Sequence, residues 1–379
     1  MRLGCVSPVW VQWTQTVVAG LVGSFAVASH AMEDEPEKLF STWEPTVTVK
    51  AGAGYKDNVT LAREHTESSP YAYSAVEAGL LRLPVDGTQF TLYLIGEDTR
   101  YWKARSVDHE NLFMVQSEAR RIWENDWEAA FGLEGFYLDQ VVDFSITDTN
   151  REALPVRGGG LTVRPLARRN LSAEIWLSLE LPATRQWYEE AVDDHWELGP
   201  KIALGRSYGD KSEISAGYVF THRGYDEAPA RDVSGGVLTN TVRAASIHDV
   251  FGVWKHHWDA DRHWRSTTKL GYRHSEDNAS GYFDYERYEV SHQLRWQAGK
   301  WELIGEAKLA YYQFPVQRVS ESDLHRRRRT DVRLTARAER QLAKRFRLYA
   351  NFEHERTRSN DSFDEYSVNT VGGGLSLEF

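Results

Sequence analysis

From Trp43 to Phe379 apolar and polar residues alternate with a period of two, and helical spacing is hard to find. Successive side chains of a β-strand point to opposite faces. Each such stretch is therefore a ribbon with one greasy and one polar side. Ile214, Ala216, Tyr218 and Phe220 alternate with Glu213, Ser215, Gly217 and Thr221. Val332, Leu334 and Ala336 alternate with Arg333, Thr335 and Arg337, and Leu348, Ala350 and Phe352 with Arg347, Tyr349 and Asn351. Two architectures accept this pattern. A soluble sandwich hides the apolar side in a core. A membrane barrel turns it to lipid and encloses water with the other side.

Length and connections separate the two. Sandwich strands average about 5–6 residues and membrane strands need about 9–11; many alternations here reach the longer figure. Turn-like pieces fall at 84–87, 124–126, 167–170, 208–211, 259–262, 298–300 and 343–345. Between them lie polar connections at 56–69, 103–111, 139–155, 182–195, 224–241, 275–284, 315–329 and 357–364. Short and long alternate without a break and join 16 strands. An even number leaves both chain ends on one side, as outer-membrane barrels require. The pattern predicts an all-β transmembrane antiparallel up-and-down β-barrel of about 16 strands, with 14 or 18 as the neighbouring counts. A soluble secreted β-protein is the alternative in which the same greasy positions form a core.

The tryptophans agree with a barrel, although cross-strand aromatic pairs stabilise any sheet. Trp123 and Trp127, Trp258 and Trp264, and Trp296 and Trp301 bracket short turns. Rings with one polar edge settle at membrane–water boundaries, so these pairs are expected to form an inner girdle. Tyr101, Trp102, Trp187, Tyr188, Trp196 and Tyr225 lie beside long connections and are expected to form the outer one.

Residues 1–31 carry one charge, Arg2, then an apolar run that closes on Ser29-His30-Ala31. This reads as a cleaved secretory signal peptide. Residues 32–42 would be a short periplasmic segment and residues 43–379 the barrel. The only cysteine, Cys5, precedes the apolar run, so an exported chain would hold neither disulfide nor thiolate metal ligand. The chain has 45 basic and 55 acidic residues; loss of Arg2 with the leader takes its formal net charge from −10 to −11. Such a chain is not expected to bind nucleic acid.

Both ends of the expected barrel resemble known families. The terminal Val371-Gly372-Gly373-Gly374-Leu375-Ser376-Leu377-Glu378-Phe379 is similar to the last strand of Gram-negative outer-membrane barrels. That resemblance implies that the barrel-assembly machinery reads Phe379. GAGYKDNVTL, Gly52 to Leu61, resembles the opening of porin-like barrels in which Gly-Tyr-Asp-Asp-Asn closes the first strand; Lys56 departs from the acidic pattern. Asp57 and Asn58 are also ordinary turn formers. In general porins the third external loop folds inward as an acidic constriction. The equivalent stretch here holds Asp139, Asp143, Asp148 and Glu152, but it is shorter and lacks the family's aromatic-glycine motif.

On the polar side, alternation places Glu128, Glu134, Glu174, Glu180, Arg265, Lys269, Arg273, Glu306, Lys308, Arg333, Arg337 and Glu339 toward the lumen. Acids at 128–180 would face bases at 333–337 across the pore, or all would pair locally along the wall. Arg326, Arg327, Arg328 and Arg329 form the most basic run. Alternation sends two outward and two inward, and outward arginines could bind lipopolysaccharide phosphates; a solvated loop is the other reading. Gly205-Arg206-Ser207-Tyr208-Gly209 matches the G-x-S-x-G of hydrolases, but it leads from strand to turn to strand instead of into a helix. His256 and His257 are neighbours on a strand and so face opposite sides, which disfavours a shared metal.

The expectation is a porin-like channel in the cell outer membrane, surrounded by lipid and lipopolysaccharide. It would pass small hydrophilic solutes by diffusion, without cofactor or catalysis. A polysaccharide export barrel with a periplasmic partner and a lipase-type outer-membrane enzyme are the alternatives. Monomer and trimer both remain open.

Overall fold

The computed structural model describes residues 42–143, 146, 153–189, 193–209, 211–320 and 323–379. The expected signal peptide and nearly all of the periplasmic segment lie outside them. The strands are β1 (Trp43–Lys56), β2 (Ser69–Val85), β3 (Thr88–Tyr101), β4 (His109–Ile122), β5 (Trp127–Asp143), β6 (Ala153–Asn170), β7 (Ile175–Glu180), β8 (Ala183–Glu189) and β9 (His195–Leu198). They continue as β10 (Lys201–Tyr208), β11 (Ser212–Arg231), β12 (Val237–His257), β13 (Trp264–Asp277), β14 (Tyr285–Ala298), β15 (Trp301–Arg318), β16 (Arg326–Gln341), β17 (Phe346–Ser359) and β18 (Tyr366–Glu378).

These 18 strands make 16 spans. β7 and β8 both pair with β6, and β9 and β10 both pair with β11. Each couple is one span interrupted once, at Leu181-Pro182 and at Gly199-Pro200. Proline cannot donate to a ladder, and the two breaks lie side by side, since Ala183 pairs with Leu198 and Lys201 with Glu180. The order is antiparallel and sequential, and β1 pairs with both β2 and β18, so the sheet closes.

Closure runs to the last residue. Gly52, Gly54, Gly372 and Gly374 face inward at the seam, paired Gly52 with Gly374 and Gly54 with Gly372. The Tyr71 and Tyr349 rings lie against them: a Cβ on Gly54 would sit 2.4 Å from the Tyr71 ring and one on Gly374 2.1 Å from the Ala51 carbonyl. The Phe379 N–H donates to the Val47 carbonyl at 2.9 Å. Above the seam, Asp57 accepts from the Asn369 backbone and side-chain amides, both at 2.7 Å, and buried Asn58 donates to the Ser367 carbonyl at 3.0 Å. Asp57 and Asn58 thus tie the first external loop to the last strand.

Large apolar side chains outside the barrel are exposed, as lipid contact requires: Val47, Val76, Phe131, Leu204, Ile214, Leu270, Leu334 and Leu348 among them. Trp123, Trp127, Trp258, Trp264 and Trp301 are exposed beside the short turns, and Trp264 and Trp296 pair with centroids 6.1 Å apart. Of the expected outer girdle, Trp102, Trp187 and Trp196 are exposed, whereas Tyr101 and Tyr225 are buried on the inner side with Tyr188. The parity of each strand fixes this: Tyr101 shares its face with Glu97, and Tyr225 with Arg223.

The boundaries differ from the sequence expectation in two respects. The third short turn is at 171–174, not 167–170, because β6 continues to Asn170. Strands also overshoot on the loop side, so several long connections shrink. β11 and β12 have 20 and 21 residues. At about 3.4 Å per residue they far exceed an apolar band about 25 Å tall, even when tilted, and project outside it.

A folded barrel should migrate faster on an SDS gel unheated than boiled. Gly374→Val puts a branched side chain into the Ala51 carbonyl. It should destabilise the barrel by about 1–3 kcal/mol, read as a lower temperature for loss of the fast-migrating band.

Candidate functional site: a charged lumen crossed by a hairpin

The inner wall is a ladder of charges, most of them paired with neighbours. Arg120 bridges Glu118 at 2.7 Å and Glu128 at 2.9 Å. Glu180 lies between Lys201 at 3.2 Å and Arg164 at 3.7 Å. Arg273 binds Asp249 at 2.7 Å, Lys308 binds Glu289 at 3.2 Å, and Arg333 binds Glu353 at 2.6 Å. Lys50 pairs with Glu77, and Arg337 with Glu339. Gln293 donates to Glu306 at 3.2 Å. Glu134, Arg265 and Lys269 share the inward parity of these residues. Glu174 does not: it falls in the 171–174 turn and pairs at 2.9 Å with exposed, outward Arg206.

The charge is nevertheless unevenly distributed. The inward faces of β2–β5 carry Glu77, Glu97, Glu110, Glu118, Glu128 and Glu134 against Arg120 alone. Those of β12–β14 carry Arg243, Lys255, Arg265, Lys269, Arg273, Arg287 and Arg295 against Asp249 and Glu289, with Asp277 at the strand end occupied by loop amides. In a ring of 16 spans these two arcs are opposite. The axis differs from the expected one because bases outnumber acids on β12–β14: Arg265 lies opposite Arg295 and Arg273 opposite Arg287, although Arg273, Arg287 and Arg295 also reach Asp249, Glu289 and Glu302.

The β5–β6 hairpin crosses this lumen. Val141 and Val142 stay paired with Pro155 and Leu154 of β6. Both are buried. Val141 joins Val59, Tyr71, Tyr101 and Val107, while Val142 packs with Leu138, Val156, Tyr225 and Ala228. Glycines make room beneath: a Cβ on Gly158 would be 2.3 Å from the Tyr188 ring, and one on Gly160 2.5 Å from Phe136. Beyond them Ile146 packs on Tyr285, Ala310, Tyr312 and Phe314 of β14 and β15. Asp143 accepts from Arg329 of β16 at 2.6 Å. From β5 and β6, the spans β15 and β16 lie diametrically across, so Asp143 and Ile146 reach the far wall.

Arg329 is the anchor. Its guanidinium also donates to Asp331 at 2.7 Å and to Thr357 at 3.2 Å, and the Thr357 hydroxyl donates to Asp331 at 2.9 Å. Two residues along the same strand, buried Arg327 donates to Asp364 at 2.6 Å and Gln317 at 2.9 Å and lies over the Phe314 ring. Of the run Arg326 to Arg329, the pleat turns Arg327 and Arg329 inward, where they are buried and cannot contact lipopolysaccharide; Arg326 and Arg328 are exposed outward, the two-and-two division that alternation implies. Asp139 is not at the constriction. It stays on the outer rim, 3.0 Å from Arg157 and 3.3 Å from His109. Asp148 and Glu152 lie outside the described residues. The neighbouring loops are tied down too: the Ser106 hydroxyl, with the N–H groups of Ser106 and Arg105, holds the Glu67 carboxyl below its usual range.

A buried group that alternation did not single out adjoins the hairpin. His195, Glu197 and Arg223 face inward, with Arg223 to Glu197 at 2.6 Å and Arg223 to the Tyr225 hydroxyl at 3.2 Å. The Arg243 guanidinium lies 3.9 Å from the Tyr225 ring and 4.2 Å from Phe283. Ser207 is the last residue but one of β10, which turns into β11, so the hydrolase-like spacing has no helix behind it. His256 faces outward, hydrogen-bonded to Tyr208 at 3.1 Å and Ser212 at 3.3 Å, while His257 faces inward.

No protein-family description and no curated protein matches the chain. Among solved structures it is similar to OccAB1 of Acinetobacter baumannii, with TM-score 0.48 and 8% identity over 92% of this chain and 100% of that one. It is also similar to a bacterial polysaccharide outer membrane secretin, with TM-score 0.43 and 9% identity over 88% and 98%. The outer membrane protein OpdK of Pseudomonas aeruginosa gives TM-score 0.47 and 11% identity over 88% and 99%. At these values the likeness assigns no solute.

Breaking a buried ion pair by removing one member costs about 3–5 kcal/mol. Arg329→Met strands both Asp143 and Asp331, whereas Asp143→Asn leaves Arg329 with Asp331. Arg329→Met should destabilise more, measured as the thermal midpoint in detergent and as faster proteolysis at the hairpin.

Proposed function

We propose that the chain is a porin-like outer-membrane channel that passes small hydrophilic solutes through a charged lumen narrowed by the β5–β6 hairpin. The observation that carries this reading is the Asp143–Arg329 pair, which holds the hairpin across the bore instead of above it. A barrel of 16 spans is wide enough for a water-filled path, and a tethered crossing segment reduces that path to solute size. The opposed acidic and basic arcs, β2–β5 and β12–β14, set up a transverse field. That field orients dipolar solutes and opposes apolar ones, which gain nothing from the wall yet displace its water. Diffusion through such a path needs no cofactor and no turnover.

Purified, refolded protein should open steps of steady conductance in a planar lipid bilayer. Replacing residues 144–152 by a two-glycine linker and Arg329 by alanine should raise single-channel conductance several-fold. In liposome-swelling assays it should also admit sugars that the wild type excludes. A barrel silent in both forms would overturn the channel reading and favour a pore that works only with a periplasmic partner. Lys269→Glu adds an acid to the basic arc and should move the reversal potential in a salt gradient toward cation preference.

A further inference from the structure

The arginines that the pleat turns outward form a patch of their own. On β16 the outward residues run Arg326, Arg328, Thr330, Val332 and Leu334; on β17 they run Arg358, Arg356, His354 and Phe352. Arg326, Arg328, Arg356 and Arg358 are all exposed. None of their side chains makes an ion pair or hydrogen bond among the described residues. No acid occupies an outward position on either strand. Elsewhere on the same rim, basic groups have carboxylate partners: Arg100 with Asp98 at 2.9 Å, Arg157 with Asp139 at 3.0 Å, and Arg185 with Asp226 at 2.6 Å. On the β16–β17 arc four arginines stand together with none among the described residues.

Its height matters as much as its charge. Val332, Leu334 and Phe352 belong to the lipid-facing apolar band, and the arginines follow directly on the loop side, the side away from both chain ends. Thr330 pairs with Arg358 and Val332 with Arg356, so Arg356, Arg358, Arg328 and Arg326 succeed one another in a staggered row; with alternate residues about 7 Å apart, the row runs about 20 Å from the edge of the apolar band out through the headgroup level of the outer leaflet. Guanidinium presents paired N–H groups that match phosphate oxygens in bidentate fashion.

We propose that Arg326, Arg328, Arg356 and Arg358 form a binding site on the outer wall for the phosphate groups of an outer-leaflet glycolipid. The run His325 to Arg329 then serves two tasks by parity alone. Arg327 and Arg329 hold the loop and hairpin from inside, while Arg326 and Arg328 hold lipid from outside.

The test uses the mature full-length barrel in detergent micelles with bisphosphorylated lipid A and its dephosphorylated form as probes, read by native mass spectrometry. The wild type should bind the phosphorylated form preferentially. Changing all four arginines to serine should weaken that binding by about tenfold or more, since each such residue contributes on the order of 1 kcal/mol near an anionic surface. Arg100→Ser, on another arc, should leave it unchanged. Heat-modifiable migration reports whether each variant folds; if the quadruple variant does not fold, Arg326→Gln with Arg328→Gln must show part of the loss. Equal binding by wild type and variant would overturn the proposal. So would equal binding of phosphorylated and dephosphorylated lipid, or displacement of the lipid by equimolar inorganic phosphate, which would mark a simple anion site.

Discussion

Hydrocarbon offers a peptide group no hydrogen-bond partner, so a sheet that crosses it must leave no edge unpaired. Everything else in this barrel follows from the pairing of β1 with β18. That pairing needs the two chain ends on one side, hence an even number of spans. It needs a flat inner surface where first and last strands meet, hence glycines at 52, 54, 372 and 374 under two tyrosine rings. It also needs an ordered terminus, which Phe379 supplies by donating to Val47.

Once the ring is closed, side-chain parity decides chemistry. The polar face cannot be solvated as freely as a protein surface, and the wall answers with ion pairs between adjacent strands. Such pairs stabilise modestly on their own. Their larger effect is to fix the positions of the unevenly distributed remainder, so that the acidic β2–β5 and basic β12–β14 arcs keep station across the bore. The hairpin uses the same device at longer range: Arg329, already oriented by Asp331 and Thr357, receives Asp143 from the opposite side.

Much of this was legible in the residue order because period-two alternation is a local signal. Span number, barrel closure, the faces of Glu128, Lys269, Lys308 and Arg337, and the inner tryptophan girdle all follow from it. Where two patterns competed, local reading failed. Leu171 and Ala173 continue the alternation of Ile175 to Leu179, yet they form a turn because β6 pairs as far as Asn170. Proximity to loops points Tyr101 and Tyr225 to the rim, whereas strand parity buries them. The inward course of the hairpin was hidden for another reason. It depends on contacts between residues 186 positions apart in the chain, Asp143 and Arg329, and no window of sequence contains both.

The paired interruptions at Pro182 and Pro200 give the wall a grain. Three neighbouring strands bring a proline close to one height, for Leu181 donates to the Pro165 carbonyl and Gly199 reaches Pro182 only at 3.4 Å. Prolines contribute acceptors but no donors, so this short line across the ladder is cross-linked more thinly than the wall around it. A cylinder thinned along one line does not flex equally in all directions. Slow breathing of this barrel should concentrate there, nearly half a turn from the hairpin's anchor on β16 and well away from the glycine seam where the ends are joined.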